Sequence, residues 1–546
     1  MKRKISLVLA LVATVTFFAF TGPGEKYFDI AKSLDIFATL FKEVNAYYVD
    51  EVEPRKLIQT SIEGMLESLD PYTDYIPEED LEAFSIQTTG QYAGIGALIG
   101  SINKKSVVTH PYENFPAYKA GLKVGDEFIS IDGKNVRGKP TNEISALLKG
   151  SPKSELKVSI ERMGKELTFT IEREKIKIIN VVYQGLVDPG IGYIKLDDFT
   201  PGAANEVEDA VNTLKQKGAT KIIIDLRDNP GGLLYEAVNI VNLFIPKDKE
   251  VVATKGKVQD WNKSYTTLNN SIDSQIPLVI LTSNGSASAS EIVAGALQDY
   301  DRAVLVGQKT FGKGLVQTTR PLAYNAQLKV TTAKYYIPSG RCIQALDYTH
   351  RKNDGTVEKF ADSLKSAFKT KNGRTVYDGG GLDPDIAVKS EPLGSAVVAL
   401  VSSGLIFDFA TKYCNGHPPL SSFKNFQLTD NDYQQFESWL KTKQFMYSTD
   451  LEKQAESLVA AAKNERYYDE LQPNLTTLQN KIEQNHLSYL TRFRKEIQEI
   501  LEDEIAFHYQ LNKGKSEVSL ARDKEIAQAK RILNDAASYQ KLLIPH

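Results

Sequence analysis

The chain has 546 residues, of which 42% are hydrophobic and 25% are charged, so it has the composition of a globular protein with roughly two to four domains. Its net charge of −3 provides no basic excess of the kind that binds nucleic acid, so no nucleic-acid partner is expected. Cys342 and Cys414 lack metal-ligand spacing, and the sequence leaves open either one disulfide or two free thiols.

The first 24 residues have the layout of a secretory signal. Lys2, Arg3 and Lys4 precede an apolar run over 5–20, which is shorter than the ~20 residues of a typical membrane span. The residues after this run do not form a clean small-x-small cleavage site, so a cleaved signal peptide and a retained N-terminal anchor both remain open. Either alternative predicts an exported protein of the periplasm or cell envelope, and the second adds an association with the inner membrane.

Residues 25–85 are predicted to form a helical N-terminal region. Apolar residues recur at helical spacing over 28–41 and 57–66, and the sequence Leu69-Asp-Pro-Tyr72 then interrupts the pattern. The interpretation we favour is a helical packing unit that takes no direct part in chemistry.

Glycine-containing blocks separated by short predicted strands fill residues 86–175. The most specific block is 116–133, and it lies between a glycine-containing loop at 92–99 and a predicted helix at 141–149. These blocks resemble a PDZ domain, in which loop amides accept the C-terminal carboxylate of a peptide and a strand edge pairs with the peptide backbone. Alternation along the strand predicts an apolar pocket for the last side chain of the peptide. The predicted peptide-binding residues are Tyr92, Ala93, Gly94, Ile95, Gly96, Ala97 and Ile99.

Predicted strands and helices alternate over residues 176–390, and this alternation is typical of an α/β core. The strand 221–227, with its apolar run over 222–224, is predicted to be buried, and the strand 277–282 is a continuous apolar segment that is predicted to be buried on both faces. Asp228-Asn-Pro-Gly-Gly232 follows the first of them and leaves backbone amides exposed at a helix start, although a simple turn with a cap has the same pattern.

The second apolar strand is followed by a stretch of small residues, 284–291, that forms a tight strand-to-helix turn. Such a turn presents one hydroxyl to a cleft and aims the first free amides of the helix at a developing oxyanion. Four serines are candidate nucleophiles: Ser283, Ser286, Ser288 and Ser290. Ser290 fits a helix N-cap and Ser283 ends the strand, whereas Ser288 lies at the apex between two small residues. A serine-rich turn that only caps the helix explains this stretch equally well.

A lysine between two glycines lies in the next block, 310–317. Lys313 is followed by Gly314, so the phosphate-binding loop pattern, which needs Ser or Thr at that position, is absent. A buried lysine can instead serve as general base to a serine, because desolvation lowers its pKa and makes the amine neutral. Gln317 lies four residues further on and can hold the amine without adding charge. None of the six histidines lies in these blocks, which weakens a Ser–His–Asp alternative.

Together, Ser288, Lys313 25 residues later and Gln317 resemble the catalytic blocks of the C-terminal processing peptidases, also called tail-specific proteases. The resemblance extends over roughly 35–390 and includes further blocks in the family's order, among them 379–386. It implies a crotonase-like α/β serine protease core with a Ser–Lys dyad, often completed by Gln. Such a dyad needs no metal or cofactor.

The same resemblance implies roles for further residues. An oxyanion-hole amide is carried over to Gly231 or Gly232, and we add the amide of Ala289 at the start of the next helix. Asp299 occupies the position of a structurally important Asp, although a C-terminal turn with an ion pair to Arg302 is the plainer interpretation. The helical N-terminal region corresponds to one that often forms dimer contacts, so a homo-oligomer is an open expectation.

Two parts of the chain depart from the family pattern, and a third lies beyond it. Cys342 stands where Ser is more usual, and 346–377 form a polar insertion whose role is not readable from the sequence. Residues 391–546 contain charged segments with apolar residues at helical spacing and are predicted to form a helical C-terminal domain without a motif. Packing on the core, oligomer contacts and adaptor binding all fit such a domain, and packing is the interpretation we favour.

The sequence therefore predicts a multidomain α+β protein with a helical N-terminal region, a PDZ domain, an α/β protease core and a helical C-terminal domain. The predicted function is a serine endopeptidase that recognises accessible C-termini of proteins or peptides and cleaves near them. A catalytically inert PDZ scaffold is the alternative. A crotonase-like acyl-CoA enzyme is a third hypothesis, which the export signal and the PDZ domain fit poorly.

Overall fold

The structure is a computed structural model, and it describes four stretches of the chain: 24–352, 355–389, 391–443 and 445–545. The predicted signal or anchor segment therefore lies outside the described residues, apart from Gly24. The N-terminal elements are α1 (Gly24–Tyr47), α2 (Pro54–Glu67), β1 (Asp74–Ile76) and α3 (Leu81–Thr89). The predicted helices are thus confirmed. The large apolar side chains of α1 face solvent, and Phe28, Leu34 and Leu40 are each more than half exposed.

The next ten elements form the predicted PDZ domain. They are β2 (Gln91–Gly94), β3 (Ala97–Ile102), β4 (Lys105–Pro111), α4 (Pro116–Ala120), β5 (Glu127–Ile131), β6 (Lys134–Asn135), α5 (Thr141–Leu148), β7 (Glu155–Arg162), β8 (Lys165–Glu172) and β9 (Glu174–Lys177). An antiparallel sheet in the order β3–β4–β5–β7–β8 packs around a core that includes Val108, Phe128 and Ile160. β2 pairs with β9 in a separate ribbon, and β6 pairs with β5. β3 therefore lies at one edge of the sheet.

The protease core follows in chain order. Its elements are β10 (Val181–Asp188), β11 (Ile191–Leu196), α6 (Ala203–Gln216), β12 (Lys221–Asp225), α7 (Leu234–Phe244), β13 (Glu250–Gly256), β14 (Lys263–Thr266), β15 (Leu278–Thr282), α8 (Ala289–Asp299), β16 (Val304–Gly307), β17 (Leu315–Pro321) and β18 (Gln327–Tyr336). The polar insertion and the strand after it contain β19 (Leu346–Arg351), β20 (Val357–Lys359), β21 (Ala367–Lys369), β22 (Thr375–Tyr377) and β23 (Ile386–Ala387). The insertion folds as two small ribbons, β19–β20 and β21–β22.

A six-stranded sheet in the order β10–β11–β12–β15–β16–β23 forms the centre of the core. β10 is antiparallel to β11 and the other neighbours are parallel, so the carboxyl ends of β12, β15 and β16 lie at one edge. The parallel strands are almost entirely apolar and buried, as expected for a sheet that is covered on both faces. Helices α6, α7 and α8 cover one face. A second sheet joins β1 from the N-terminal region to β18, which also pairs with β13 and β17.

The opposite face of the central sheet is covered by the end of the chain. The C-terminal elements are α9 (Ser395–Ser402), α10 (Leu405–Gly416), α11 (Asp430–Lys441), α12 (Asp450–Asn464), α13 (Tyr468–Leu487), α14 (Tyr489–Arg492), α15 (Arg494–Ser519), α16 (Lys524–Asn534) and α17 (Ala536–Leu542). Ile526 and Ile532 of α16 and Tyr539 of α17 pack against Ile223 and Val279 of the sheet. The helical C-terminal domain is confirmed, and its last two helices complete the layering of the protease core.

Helices α9, α10, α11, α14 and α15 share a core of their own, which includes Phe409, Phe436 and Leu501. No single helix in the described stretches has the length and apolar character of a membrane span. Helices α9 and α10 meet that test only as a pair, and they are bent by 64° at the break between them. Cys342 and Cys414 are both free thiols.

Candidate active site

Three loops meet at the edge of the central sheet where the parallel strands end. They are 226–233 after β12, 283–288 after β15 and 308–314 after β16. Since these strands are parallel neighbours, their carboxyl ends bring the three loops into contact. Backbone hydrogen bonds join the loops: the Ala287 amide donates to the Asn229 carbonyl and the Phe311 amide donates to the Ser286 carbonyl, both at 3.0 Å.

Ser288 has a backbone conformation that differs from that of the other serines in its turn. Its φ of +57° and ψ of −114° lie in a region that residues with a Cβ rarely adopt. A strained turn between a strand and a helix exposes the nucleophilic serine of α/β-hydrolases. The other three hydroxyls donate to oxygens of the first loop: Ser283 to Asp228, Ser286 to Leu226 and Ser290 to Asn229. The structure therefore distinguishes Ser288 from the other three candidates.

The first of the two loop glycines packs directly against the serine turn. Gly231 has a φ of +98°, and a Cβ built on it would lie 2.8 Å from the Ala289 nitrogen and 2.8 Å from the Ser288 Cβ. Gly232 lies against Phe199 instead, where a Cβ would meet the backbone carbonyl oxygen at 2.8 Å. Only glycine allows the first loop to approach the serine turn this closely.

The amides in this corner differ in whether they already have an acceptor. The Gly231 amide donates to the Asn229 side chain at 2.9 Å. Within the described residues, the amides of Gly232 and Ala289 donate to no oxygen. These two N–H groups are therefore free to bind a ligand oxygen. Ala289 follows Ser288 directly and adds the positive end of the α8 dipole, whereas Gly232 follows the glycine that packs against the serine turn.

The Lys313 side chain is partly buried, and its ammonium faces an aromatic ring. The Nζ atom lies 4.4 Å from the centroid of the Tyr72 ring, which belongs to the segment between α2 and β1. Burial, followed by the positive charge of Lys329, lowers the pKa of Lys313 to about 8, while Glu291 and Asp70 oppose the shift. A fraction of the amine is therefore neutral near neutral pH, as a general base requires.

One buried carboxylate joins the serine turn to the lysine loop. Oε2 of Glu291 accepts from the Ser288 amide at 3.0 Å and from the Lys313 amide at 2.9 Å. Because both nitrogens bond to the same oxygen, they lie within about 6 Å of each other. Oε1 accepts from the Gly312 amide at 2.8 Å and from the Thr310 hydroxyl at 2.5 Å. Burial raises the pKa of Glu291 to about 7, and these four hydrogen bonds oppose the rise.

A buried tyrosine makes the matching connection on the carbonyl side. The Tyr335 hydroxyl lies 2.6 Å from the Lys313 carbonyl oxygen and 3.2 Å from the Ser288 carbonyl oxygen. Tyr335 and Glu291 both lie in the interior of the core. The peptide groups of Ser288 and Lys313 are thus joined at their N–H groups by Glu291 and at their C=O groups by Tyr335.

Gln317 does not contact the lysine amine in this arrangement. Its Nε2 atom donates to the Thr331 hydroxyl on β18 at 3.1 Å. The Lys313 ammonium makes no hydrogen bond with Gln317 or with the Ser288 hydroxyl in the part of the chain that the structure describes. The peptide groups of the serine and the lysine are therefore brought together, while the lysine side chain rests on Tyr72.

Asp299 lies at the far end of α8 from Ser288. Its Oδ1 accepts from the Arg341 guanidinium at 2.8 Å and its Oδ2 accepts from the Ser339 amide at 2.9 Å. The expected ion pair with Arg302 is wrong, because Arg302 donates to backbone carbonyls instead. Within the described residues, the Asp299 carboxylate therefore binds Arg341 and Ser339 and does not contact the Ser288 turn.

The predicted peptide-binding residues divide between a paired ribbon, a buried turn and a strand edge. Residues 92–94 belong to β2, whose backbone pairs with β9. Ile95 is 2% exposed and packs in the PDZ core, so its side chain does not line an open pocket. Gly96 turns the chain with a φ of +73°. Ala97 and Ile99 lie on β3, which pairs only with β4 among the described strands and leaves its other edge beside α5.

Three residues that surround the candidate dyad are not among the site residues predicted from the sequence: Tyr72, Glu291 and Tyr335. Glu291 carries a readable signal, since it is an acid three residues after the apical serine in a helix that is otherwise largely apolar. Tyr72 lies in a segment that we interpreted as packing only. Its approach to Lys313 depends on the pairing of β1 with β18, which local patterns do not reveal.

Three sequence profiles match parts of the chain. "Peptidase family S41" matches 190–350, "PDZ domain" matches 107–162, and "Probable PDZ-protease, C-terminal helical domain" matches 396–533. The three matches fall on the protease core, the PDZ sheet and the C-terminal helices described above.

Individual proteins show the same similarity. A carboxy-terminal-processing protease of Bartonella bacilliformis is 38% identical over 324 residues, which span 58% of this chain and 74% of that protein. A protein of Staphylococcus aureus named "Probable CtpA-like serine protease" is 35% identical over 342 residues, spanning 61% of this chain and 68% of its own length. Among solved structures, the photosystem II D1 C-terminal processing protease is 27% identical with a TM-score of 0.34, covering 66% of this chain and 93% of its own.

Proposed function

This chain belongs to peptidase family S41, among the carboxy-terminal-processing serine proteases, and from this premise we propose that it cleaves protein substrates near their C-termini with Ser288 as nucleophile and Lys313 as general base. The observation that carries the proposal is the shared Glu291 oxygen, which holds the Ser288 and Lys313 amides together. The strained backbone of Ser288 and the lowered pKa of Lys313 support the same assignment.

The proposed reaction begins when neutral Lys313 takes the hydroxyl proton of Ser288. The serine oxygen then forms a bond to the carbonyl carbon of the scissile peptide, and the carbonyl oxygen becomes an oxyanion. The C–N bond breaks as the leaving amine takes the proton from the Lys313 ammonium. Water attacks the resulting acyl-enzyme, releases the new C-terminus and returns the proton to Ser288. Because the amine rests on Tyr72 in this structure, its side chain must rotate towards Ser288 before the first step.

The proposed oxyanion hole consists of the amides of Gly232 and Ala289. Both lack an acceptor within the described residues. Ala289 follows Ser288 directly as the first residue of α8, and Gly232 follows Gly231, which packs against the serine turn. The Gly231 amide is already bonded to Asn229, so we assign to Gly231 the role of allowing the close approach of the loops. Loss of one such donor costs roughly 3 kcal/mol of transition-state stabilisation in other serine enzymes.

We assign substrate recognition to the free edge of β3. An extended peptide can pair with this edge, and the turn containing Gly96 can place amides at the peptide carboxylate. Ala97 and Ile99 remain partly exposed on the strand and so can contact the last side chain. Gln317 is assigned a supporting role, in which its amide moves from Thr331 to the Lys313 amine when that side chain rotates.

The proposal also includes export and self-association. The basic and apolar start of the sequence supports a location in the periplasm or cell envelope, with the N-terminus either cleaved or anchored in the inner membrane. Helix α1 exposes Phe28, Leu34 and Leu40 to solvent, and an apolar helix of this kind buries its surface against another chain. A homo-oligomer with α1 at its interface accounts for that exposure.

The decisive test is proteolysis by the full chain and its variants. We expect wild type to shorten an unstructured protein with an apolar C-terminus, and Ser288→Ala and Lys313→Ala to abolish cleavage while keeping the circular dichroism spectrum. Blocking the substrate C-terminus as an amide should slow cleavage. A fluorophosphonate probe should label wild type and not Ser288→Ala. Undiminished turnover by Lys313→Ala would remove the dyad, and an unlabelled wild type with intact peptide binding would favour the inert PDZ scaffold.

A further inference from the structure

The last two helices are attached to the catalytic sheet by hydrogen bonds as well as by apolar packing. The Tyr539 hydroxyl on α17 lies 3.1 Å from the Leu278 carbonyl oxygen and 3.0 Å from the Leu278 amide on β15. The Lys221 ammonium on β12 donates to the Asn534 side chain at the end of α16 at 2.8 Å. The helices therefore have a defined position relative to β12 and β15, and these strands lead into two of the three active-site loops.

The start of α16 places two carboxylates against an arginine that follows β12. Nη1 of Arg227 lies 2.7 Å from Asp523 Oδ2 and 3.4 Å from Glu525 Oε2. The three side chains are only 15–18% exposed, so water screens these charges less than it screens a surface pair. A C-terminal segment thus contacts the base of an active-site loop from which it is separated by 298 residues of sequence.

The rest of the Arg227 guanidinium is bound by a carboxylate of its own strand. Asp225, which is 1% exposed, accepts from Nη2 at 2.6 Å and from Nε at 3.0 Å. The Tyr193 hydroxyl donates to the same carboxylate at 2.7 Å. These contacts engage Nε and Nη2, and the acceptors that the described residues offer to Nη1 are Asp523 and Glu525. Without them, a mostly buried N–H group would lose its charged partners.

Arg227 also marks the start of the loop that carries the proposed oxyanion amide. Its carbonyl oxygen accepts from the Lys195 ammonium at 2.5 Å, and the next residue, Asp228, has a φ of +61°. Asn229 then bonds to the Gly231 amide and so fixes the turn. The segment from Arg227 to the glycines is short and is held by these hydrogen bonds, so it forms a contiguous connection between the arginine and the glycine amides.

We propose that the C-terminal helical domain supports catalysis by holding this loop: Asp523 and Glu525 fix Arg227, and Arg227 fixes the position of the Gly232 amide. The two acids are positioning residues, since they act through Arg227. The inference rests on the proposed function, because the loop matters to the reaction only if its amide binds the oxyanion. It gives the C-terminal domain a role in the chemistry of the core.

The test uses full-length charge-neutral variants. Asp523 also caps α16, because its Oδ1 accepts from the Ile526 amide at 2.9 Å, so Asp523→Asn keeps a capping oxygen while removing the charge. Glu525→Gln removes the second charge. The matched control is Lys524→Gln in the same turn, which breaks only the exposed ion pair with Glu391.

We expect the Asp523→Asn/Glu525→Gln double variant to lose about tenfold in kcat with little change in KM, because the lost support acts in the transition state. The probes are a fluorescent unstructured peptide with an apolar C-terminus and a fluorophosphonate, whose reaction with Ser288 should slow by a similar factor. Lys524→Gln should match wild type in both assays. Glu525→Asp within an otherwise wild-type chain should retain most activity, since it keeps the charge.

A folded double variant with wild-type kcat and labelling would overturn the inference. A rise in KM alone would do the same, because it would indicate weaker substrate binding in place of weaker oxyanion stabilisation. Failure of the proposed function gives a different result: Ser288→Ala would then remain active, whatever the activity of the double variant. If Ser288→Ala is inactive and the double variant is normal, the dyad stands and the role of α16 is rejected.

Discussion

The two ends of helix α8 each bury a carboxylate, and they satisfy it in different ways. At the C-terminal end, Asp299 pairs with the guanidinium of Arg341, and both side chains are at most 1% exposed. At the N-terminal end, Glu291 accepts from three backbone amides and from the Thr310 hydroxyl, none of which carries a charge. The carboxylate at the C-terminal end therefore belongs to an ion pair, whereas the carboxylate at the N-terminal end is bound by these uncharged donors.

This difference shows how a lysine can lie next to a carboxylate without forming an ion pair with it. If the Glu291 carboxylate bound the Lys313 ammonium, the pair would stabilise the charged amine and raise its pKa. The carboxylate binds the Lys313 amide instead, the ammonium faces Tyr72, and the pKa of Lys313 falls to about 8. The neutral donors therefore anchor the lysine loop while leaving the amine free to act as a base.

The largest effect is expected from Glu291→Gln. The glutamine side chain has one acceptor oxygen where the carboxylate has two, so its NH2 group would face N–H donors and the loops would move apart. We expect kcat to fall about 1,000-fold, or roughly 4 kcal/mol, which is comparable to the loss of an oxyanion donor. The measurement is steady-state cleavage of a fluorescent peptide, with circular dichroism as the control for folding. Activity within tenfold of wild type would show that Glu291 does not hold the pair.

Asp299→Asn should affect stability more than chemistry. The substitution leaves the buried Arg341 guanidinium without its counter-charge, and breaking a buried pair of this kind costs about 3 kcal/mol or more. Urea unfolding should therefore shift to lower concentration, while fluorophosphonate labelling of the molecules that remain folded should keep its wild-type rate. Slower labelling without any loss of stability would show that Asp299 affects the reaction and not the stability, contrary to this prediction.

A smaller loss is expected from Tyr335→Phe. The ring remains, but the carbonyl oxygens of Ser288 and Lys313 lose a shared donor in the interior. An unmade buried hydrogen bond costs about 1 kcal/mol, so kcat should fall about fivefold. Tyr336→Phe, one residue further along β18, is the matched control and should behave as wild type. Equal effects of the two variants would exclude a specific role for the Tyr335 hydroxyl.

The contrast along α8 also shows what the sequence could and could not predict. The multidomain fold is confirmed because apolar runs such as 222–224 report burial on both faces, and because parallel neighbours bring their following loops to one edge. The proximity of the Ser288 and Lys313 loops follows from that topology. Which donors satisfy Glu291 does not follow, because three of the four come from the loop after β16 and their distances depend on tertiary packing.

The same limit applies to the ends of the chain. Helical spacing predicts an apolar face in α1 and in α16 alike, but it does not name the surface that covers each face. Helix α16 packs on the catalytic sheet, whereas α1 leaves its apolar side chains in solvent. Alternation in the PDZ strand likewise places Ile95 with Ala97, although Ile95 is buried in the core. Periodicity gives the direction of a side chain, and only the tertiary structure gives its partner.

The finest test concerns the ring that covers the lysine. The proposed base acts as the neutral amine, so kcat/KM should rise with pH and reach half its limit near the pKa of Lys313, at about 8. The Tyr72 ring stabilises the ammonium by roughly 0.5–1 kcal/mol, so Tyr72→Leu, which keeps an apolar cover, should move the midpoint about half a unit lower. Lys329→Gln removes a repelling charge and should move the midpoint higher.

These opposite shifts separate the lysine from other groups that titrate nearby. Burial raises the pKa of Glu291 to about 7, so its protonation also affects the acid side of the profile. If Glu291 set the midpoint, Tyr72→Leu and Lys329→Gln should not move it in opposite directions, because the ring of Tyr72 contacts the Lys313 ammonium. Movement of both midpoints in one direction, or of neither, would mean that the rate-limiting titration belongs to another group. Opposite movement would identify the amine of Lys313 as the base.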